Sequence, residues 1–174
     1  MIATPGALDN QKSGLFIHLD SSENIGQQLN QKLAQQLVKP DKNLAIISSN
    51  QEGQILGIPY LTVNDTLYLG SKKNSINETE LQALAAELAI PTANFQKKFS
   101  EVTLLNAIKL QLLLALIQNK KIIYLNDFFD QLDTKEIQHL LMLLHQVAYN
   151  EHLEIYCYTN NIAIANSNYV DATF

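Results

Sequence analysis

The stretch Val102-Thr-Leu-Leu-Asn-Ala-Ile-Lys109, continuing through Lys121-Ile-Ile-Tyr-Leu125 to Asn126-Asp-Phe-Phe-Asp-Gln-Leu-Asp133, decides how the chain folds. Residues 103 to 119 form an apolar run too long for a strand, so they read as a buried helix. The run 121–125 is short, apolar and bounded by polar residues, the pattern of a buried strand. Past Asp133, Ile137, Leu140, Leu141, Leu144 and Val147 recur at helical spacing, and Leu153-Glu-Ile-Tyr-Cys-Tyr158 is strand-like again. Helices alternating with strands predict a parallel α/β sheet.

Upstream the same alternation holds. Gly14-Leu-Phe-Ile-His-Leu19 reads as a buried strand and Asp20 to Asn24 as a polar turn. Ile25, Leu29, Leu33 and Val38 mark a helix that Lys39-Pro40-Asp41 ends. Leu44-Ala-Ile-Ile47 gives a second strand opening into the polar loop 48–54, and residues 62–70 suit a short helix. Asn77-Glu-Thr-Glu80 has the form of a capping box before Leu81, Leu84, Ala85 and Leu88. The tail 169–174 has room for a last short strand. Residues 1–13 lack apolar periodicity and read as a flexible lead-in to one domain spanning 14–174, with a small helical subdomain at about 62–119.

Composition narrows the function. The formal charge is −5, and all 12 basic residues are Lys. Without the planar fork of Arg, a nucleic-acid surface is not expected. Cys157 is the sole cysteine, so no internal disulfide can form, and the first residues lack the charged and apolar regions of a signal peptide. No apolar stretch reaches the roughly 20 residues that cross a bilayer. A cytoplasmic protein is expected, at most peripheral to the inner face of a membrane and held there through a partner. His139, His145 and His152 lack the tight convergent spacing of a zinc site, so no metal site is expected.

In order and spacing, from about Gly14 to the end, these elements resemble the nucleotide-binding domain of ABC transporters, an ABC-type P-loop ATPase. The signature Leu-Ser-Gly-Gly-Gln falls on Val102, Thr103, Leu104, Leu105 and Asn106, and Leu-Asp-Glu-Pro falls on Leu125, Asn126, Asp127 and Phe128. The P-loop pattern G-x-x-x-x-G-K-[ST] lands on Ser21-Ser-Glu-Asn-Ile-Gly-Gln-Gln28. Gln51 stands near the Q-loop glutamine, Leu132-Asp133 matches the D-loop, and Asn160 takes the place of the switch His. The resemblance implies a three-layer, mainly parallel P-loop-like sheet flanked by helices. The antiparallel strands that precede the family's P-loop have no counterpart here.

Against that pattern the chemical residues are replaced. A P-loop wraps phosphates with backbone N–H groups that glycines leave accessible, while its Lys neutralises charge and its Ser or Thr holds magnesium. Here Gly26 remains, but Gln27 and Gln28 stand where the Lys and the hydroxyl belong. Asp20 and Glu23 add negative charge beside the same loop. At an effective dielectric near 20, two unit charges about 4 Å apart interact by roughly 4 kcal/mol, whereas a helix N-terminus favours an anion by only about 0.3–1 kcal/mol. Asn126 replaces the carboxylate that orients magnesium, and Asp127 stands, one methylene shorter, for the catalytic glutamate. Leu104 and Leu105 replace the paired glycines that a second domain would present to the nucleotide.

Simpler roles compete for several of these residues. Asp133-Thr-Lys-Glu136 is a helix-start pattern as well as a D-loop, and the cap is favoured. The leucine-rich faces of 104–117 and 137–147 read first as core. The resemblance thus implies a degenerate nucleotide site in a non-catalytic structural or regulatory subunit, with no cofactor and with a protein partner, an ABC ATPase or a second copy. The alternatives are an active ATPase, with Asp127 as base and Gln27, Gln28 and Gln51 holding ATP and magnesium, and a degenerate AAA-type adaptor.

Overall fold

A computed structural model describes residues 12–48, 61–73, 76–126 and 128–174. Gln51, Asp127 and most of the lead-in lie outside the described residues. Strands β1 (Gly14–Leu19), β2 (Leu44–Ile47), β3 (Ile122–Leu125), β4 (Glu154–Thr159) and β5 (Ala172–Thr173) form a sheet in the order β2-β3-β4-β1-β5. Every pairing is parallel, with Ile17 beside Cys157 and Ile123 beside Ile155. The helices are α1 (Ser22–Val38), α2 (Val63–Lys73), α3 (Glu78–Glu87), α4 (Leu104–Ile117), α5 (Thr134–Asn150) and α6 (Ile162–Ala165).

Strand parity sorts the sheet into two faces. Leu15, Ile17, Ile47, Ile123, Leu125, Ile155 and Cys157 point into the main core, which α4 and α5 close with Leu110, Leu113, Leu140 and Leu144. On the opposite face Ile46 and Tyr158 meet Ile25 and Leu29 of α1, with Tyr124 and Tyr156 alongside. Helices on both faces make the three layers that the sequence predicts. Each fully buried Leu or Ile contributes about 1.5–3 kcal/mol.

Helix α4 has almost no polar face. Ile108, Leu110, Leu112, Leu113, Leu114 and Ile117 are buried, because α4 packs against α2 and α3 as well as against β2. Its one charged residue, Lys109, is 4% exposed. The ammonium group donates to the Ala89 carbonyl at 3.2 Å and lies 3.1 Å from His139 Nε2. Burial lowers the pKa of Lys109. His139 is lowered too, first by burial and then by the Lys109 charge.

The helix ends follow local chemistry. Asn77 and Glu80 form the expected capping box on α3, with bonds of 2.9 and 3.0 Å. At the far ends of α3, α4 and α5 the chain turns through Ala89, Asn119 and His152, all at positive φ (48°, 55° and 54°). Each follows a helix whose third-last carbonyl accepts from the next amide: Ile90 to Ala85, Lys120 to Ala115, Leu153 to Ala148, at 3.0, 3.0 and 2.8 Å. This left-handed closure is one that glycine usually supplies.

Some boundaries differ from expectation. The segment Asp20 to Asn24 is not a turn, since α1 already begins at Ser22. The buried helix read over 103–119 is shorter, because the Thr103 hydroxyl caps its start and Asn119 turns its end. The tail strand contracts to Ala172–Thr173, and α6 appears where no helix is expected.

Candidate functional site

Adjacent strands β1 and β4 send the chain in opposite directions, β1 across the sheet to edge strand β2 and β4 past β1 to β5. In open α/β sheets ligands bind beyond the strand ends at such a reversal. Here that place is formed by Asp20, Ser21 and Ser22 after β1 and by Thr159, Asn160 and Asn161 at the end of β4.

Between β1 and α1 stand only Asp20 and Ser21. Ser21 is the N-cap: its hydroxyl accepts from the Asn24 amide at 3.3 Å, and its carbonyl accepts from the Ile25 amide at 2.9 Å. Glu23 in the first turn suits the positive end of the helix. Residues Ser22 to Gln28 are therefore helical. Gly26 needs no glycine backbone there, since a Cβ would meet nothing within 4 Å.

Asp20 organises this corner. Its Oδ1 accepts from the Ser21 amide at 2.7 Å and from Asn24 Nδ2 at 2.9 Å, and its Oδ2 accepts from Gln28 Nε2 at 3.1 Å. The Asp20 amide donates to the Thr159 carbonyl at 3.2 Å, tying the strand ends together. The side-chain bond from Asn24, then the Ser21 amide, hold its carboxyl below the usual aspartate value, against a smaller opposing effect of burial. Across the gap, Asn160 Nδ2 donates to Ser22 Oγ at 2.7 Å, and the Asn161 amide donates to Thr159 Oγ1 at 3.1 Å.

Ser21, Gln28 and Asn160 thus converge with Asp20 and Ser22, while Gln27 is exposed. Asn126, half-buried at the end of β3, donates its amide to the Ile47 carbonyl at 3.0 Å. The signature-like residues serve their own helix. Thr103 Oγ1 accepts from Asn106 Nδ2 at 3.0 Å, and Leu104 and Leu105 pack partly buried against the core. Asp133 caps α5, accepting from the Glu136 amide at 2.8 Å while Glu136 accepts from the Asp133 amide at 3.0 Å. Among the described residues no group of three His, Cys, Asp or Glu could hold a metal ion, and no helix is long and apolar enough to cross a membrane.

Sequence reasoning missed two features. It placed Asp20 beside a loop as a bare charge, although the spacing Asp20, Asn24, Gln28 puts two amides one and two turns along the same helix face. It also missed the aromatic seat of α1, where Tyr124 lies 5.3 Å from Tyr156 and 5.7 Å from Tyr158, and Lys32 stands 4.3 Å above Tyr124. Burial, and then Tyr124, push the Tyr158 hydroxyl up to about 12.

No family model and no curated protein sequence matches the chain. Solved structures do. CbiO1 from Clostridium perfringens, part of the ABC transporter complex CbiONQ, superposes with a TM-score of 0.69 at 13% identity, over 88% of this chain and 70% of that one. The dimeric bacterial ABC transporter cassette MJ0796 gives 0.63 at 15% identity, over 88% and 77%. The same cassette in a post-hydrolysis state, with ADP and phosphate bound, gives 0.61 at 15% identity. The chain has the fold of an ABC transporter ATP-binding cassette.

Proposed function

We propose that this chain is an ABC ATPase-like protein whose nucleotide site is degenerate, and that it acts as a non-catalytic structural or regulatory subunit. The observation that carries the proposal is the Asp20 carboxylate, set at the N-terminus of α1 with bonds from Ser21, Asn24 and Gln28. A helix N-terminus at the end of a parallel strand is where an anion is favoured. In this chain an anion of its own stands there, and the two-residue connection leaves no loop of free amides to wrap a second one. The residues at hand do not suit a triphosphate: among the described residues the hydrogen bonds of this corner come from amides and hydroxyls, none from a lysine, and Asn160 bonds Ser22 across the gap.

The partner side rests on the similar cassettes, one solved as a dimer and one as part of a transporter complex. By analogy this chain pairs with an ABC ATPase or a second copy, reaches a membrane only through that partner, and works in the cytoplasm without nucleic acid or cofactor. Thr103 to Asn106 and Asp133 would then act as surface and caps rather than as nucleotide contacts.

Isothermal titration of the whole chain with magnesium ATP tests the proposal. No saturable heat is expected up to about 1 mM, the weak end of binding. Micromolar binding, or phosphate release that disappears in Asp127→Ala, would overturn it in favour of the active ATPase.

A further inference from the structure

Among the described residues strand β2 is an edge of the sheet. Its odd residues serve β3, since the Asn43 carbonyl accepts from the Ile122 amide and the Ile47 carbonyl from the Asn126 amide, both at 3.0 Å. By ladder alternation the backbone groups of Leu44 and Ile46 point the other way, away from the sheet. The Leu44 amide turns back to the Asp41 carbonyl at 3.3 Å. The Leu44 carbonyl and both groups of Ile46 have no partner among the described residues, so one short strand could add here.

Alongside that edge runs a groove of about 640 Å³, walled by Leu33 and Leu37 of α1, by Leu44 and Ile46, and by Leu114 and Ala115 of α4. The α1 wall ends in two large apolar side chains left in water, Leu37 at 86% and Val38 at 88% exposure. Because α1 and α4 flank the edge from opposite faces, a strand lying in the groove would bury both its rows of side chains, as inner parallel strands do. Its occupant is therefore a run of consecutive apolar residues rather than an alternating one.

Charge sets the direction. At the end of the groove where β2 begins stand Lys42 and Lys120, with Asp41 the opposing acid, in a chain whose net charge is −5. The Lys120 ammonium is held there by the Lys42 carbonyl at 2.9 Å. An added strand running antiparallel to β2, the more stable pairing, brings its carboxyl end to these lysines. We infer that this edge binds the carboxyl-terminal tail of a partner protein, about four consecutive apolar residues followed by an acidic residue and the free carboxylate. The surface is independent of the nucleotide site and stands whether or not that site is degenerate.

The probe is a fluorescein-labelled peptide, Gly-Ser-Val-Ile-Val-Ile-Glu, with a free carboxyl end, titrated into the full chain by fluorescence anisotropy. Saturable binding is expected, with slowed hydrogen exchange at the Ile46 amide. Affinity should fall about tenfold or more in Leu37→Asp, on the rim, and in the pair Lys42→Glu with Lys120→Glu, and stay unchanged in Leu69→Asp on α2. The same peptide ending in lysine amide should bind at least about tenfold more weakly. Absence of saturable binding, or equal binding by Leu37→Asp or by the lysine amide peptide, would overturn the assignment. So would a dimer of the chain alone that Leu37→Asp dissociates, because the groove would then belong to a second copy.

Discussion

The Asp20 carboxylate accepts a 2.9 Å hydrogen bond from the side-chain amide of Asn24, one helical turn along α1. That bond is the largest influence lowering the pKa of Asp20. An aspartate whose folded pKa lies below its unfolded value stabilises the fold above that unfolded value, and loses the contribution as pH falls through the folded pKa. In Asn24→Ala the carboxyl should titrate closer to the ordinary 3.8, followed by carbon-detected NMR of the side chain. A midpoint that does not move would remove Asn24 as the cause.

Gly26 offers the plainest test of the local backbone. It lies inside α1 with open space where a Cβ would go, so Gly26→Ala should raise stability by about 0.5–1 kcal/mol in urea unfolding. A destabilised variant would mean that this glycine is needed for a shape a helix does not have.

Ala89 and His152 take the left-handed conformation at the ends of α3 and α5. Each pays a steric penalty there that glycine avoids. Ala89→Gly and His152→Gly should each stabilise the protein by about 1 kcal/mol, partly offset by the entropy of the freer unfolded chain. Chemical denaturation with unchanged slope is the measurement, and a loss of stability in both would contradict the helix ends described above.

Buried Lys109 and half-buried His139 lie 3.1 Å apart. His139 has a folded pKa below 6.5, so the neutral ring is the one the fold accepts. Its contribution to stability is present above pH 6.5 and is lost as pH falls through the folded value. In Lys109→Met the His139 midpoint should rise toward 6.5 without reaching it, because burial is the larger cause and remains. Proton NMR of the imidazole follows this directly, and an unchanged midpoint would show that the lysine charge is not felt.

The order of strands and helices was legible because each segment repeats its apolar residues at one period, and the caps at Asn77 and Asp133 announce themselves by an acid three residues on. The start of α1 was misread. Ser21 and Glu23 together form a helix-start signal, but alignment to a P-loop needs a loop there, and the family pattern outweighed the local chemistry. Lys109 sits inside the apolar run 103–119, where periodicity says nothing of how its charge is held. Its burial depends on the Ala89 carbonyl and on His139, twenty residues before it and thirty after, which no periodicity brings together. The convergence of Ser22 with Asn160 is likewise a product of β1 lying beside β4, a neighbour relation that one sequence does not print.

That neighbour relation also governs how the chain comes together. Gly14 pairs with Glu154, and the other edge of β1 is closed by Ala172 and Thr173. β1 is thus a central strand among the described residues, and both its flanks come from residues 154–173, far along the chain. Such high contact order predicts slow folding, with an apolar strand left unpaired until that distant segment arrives, so this protein should depend on chaperones more than a helical protein of equal size.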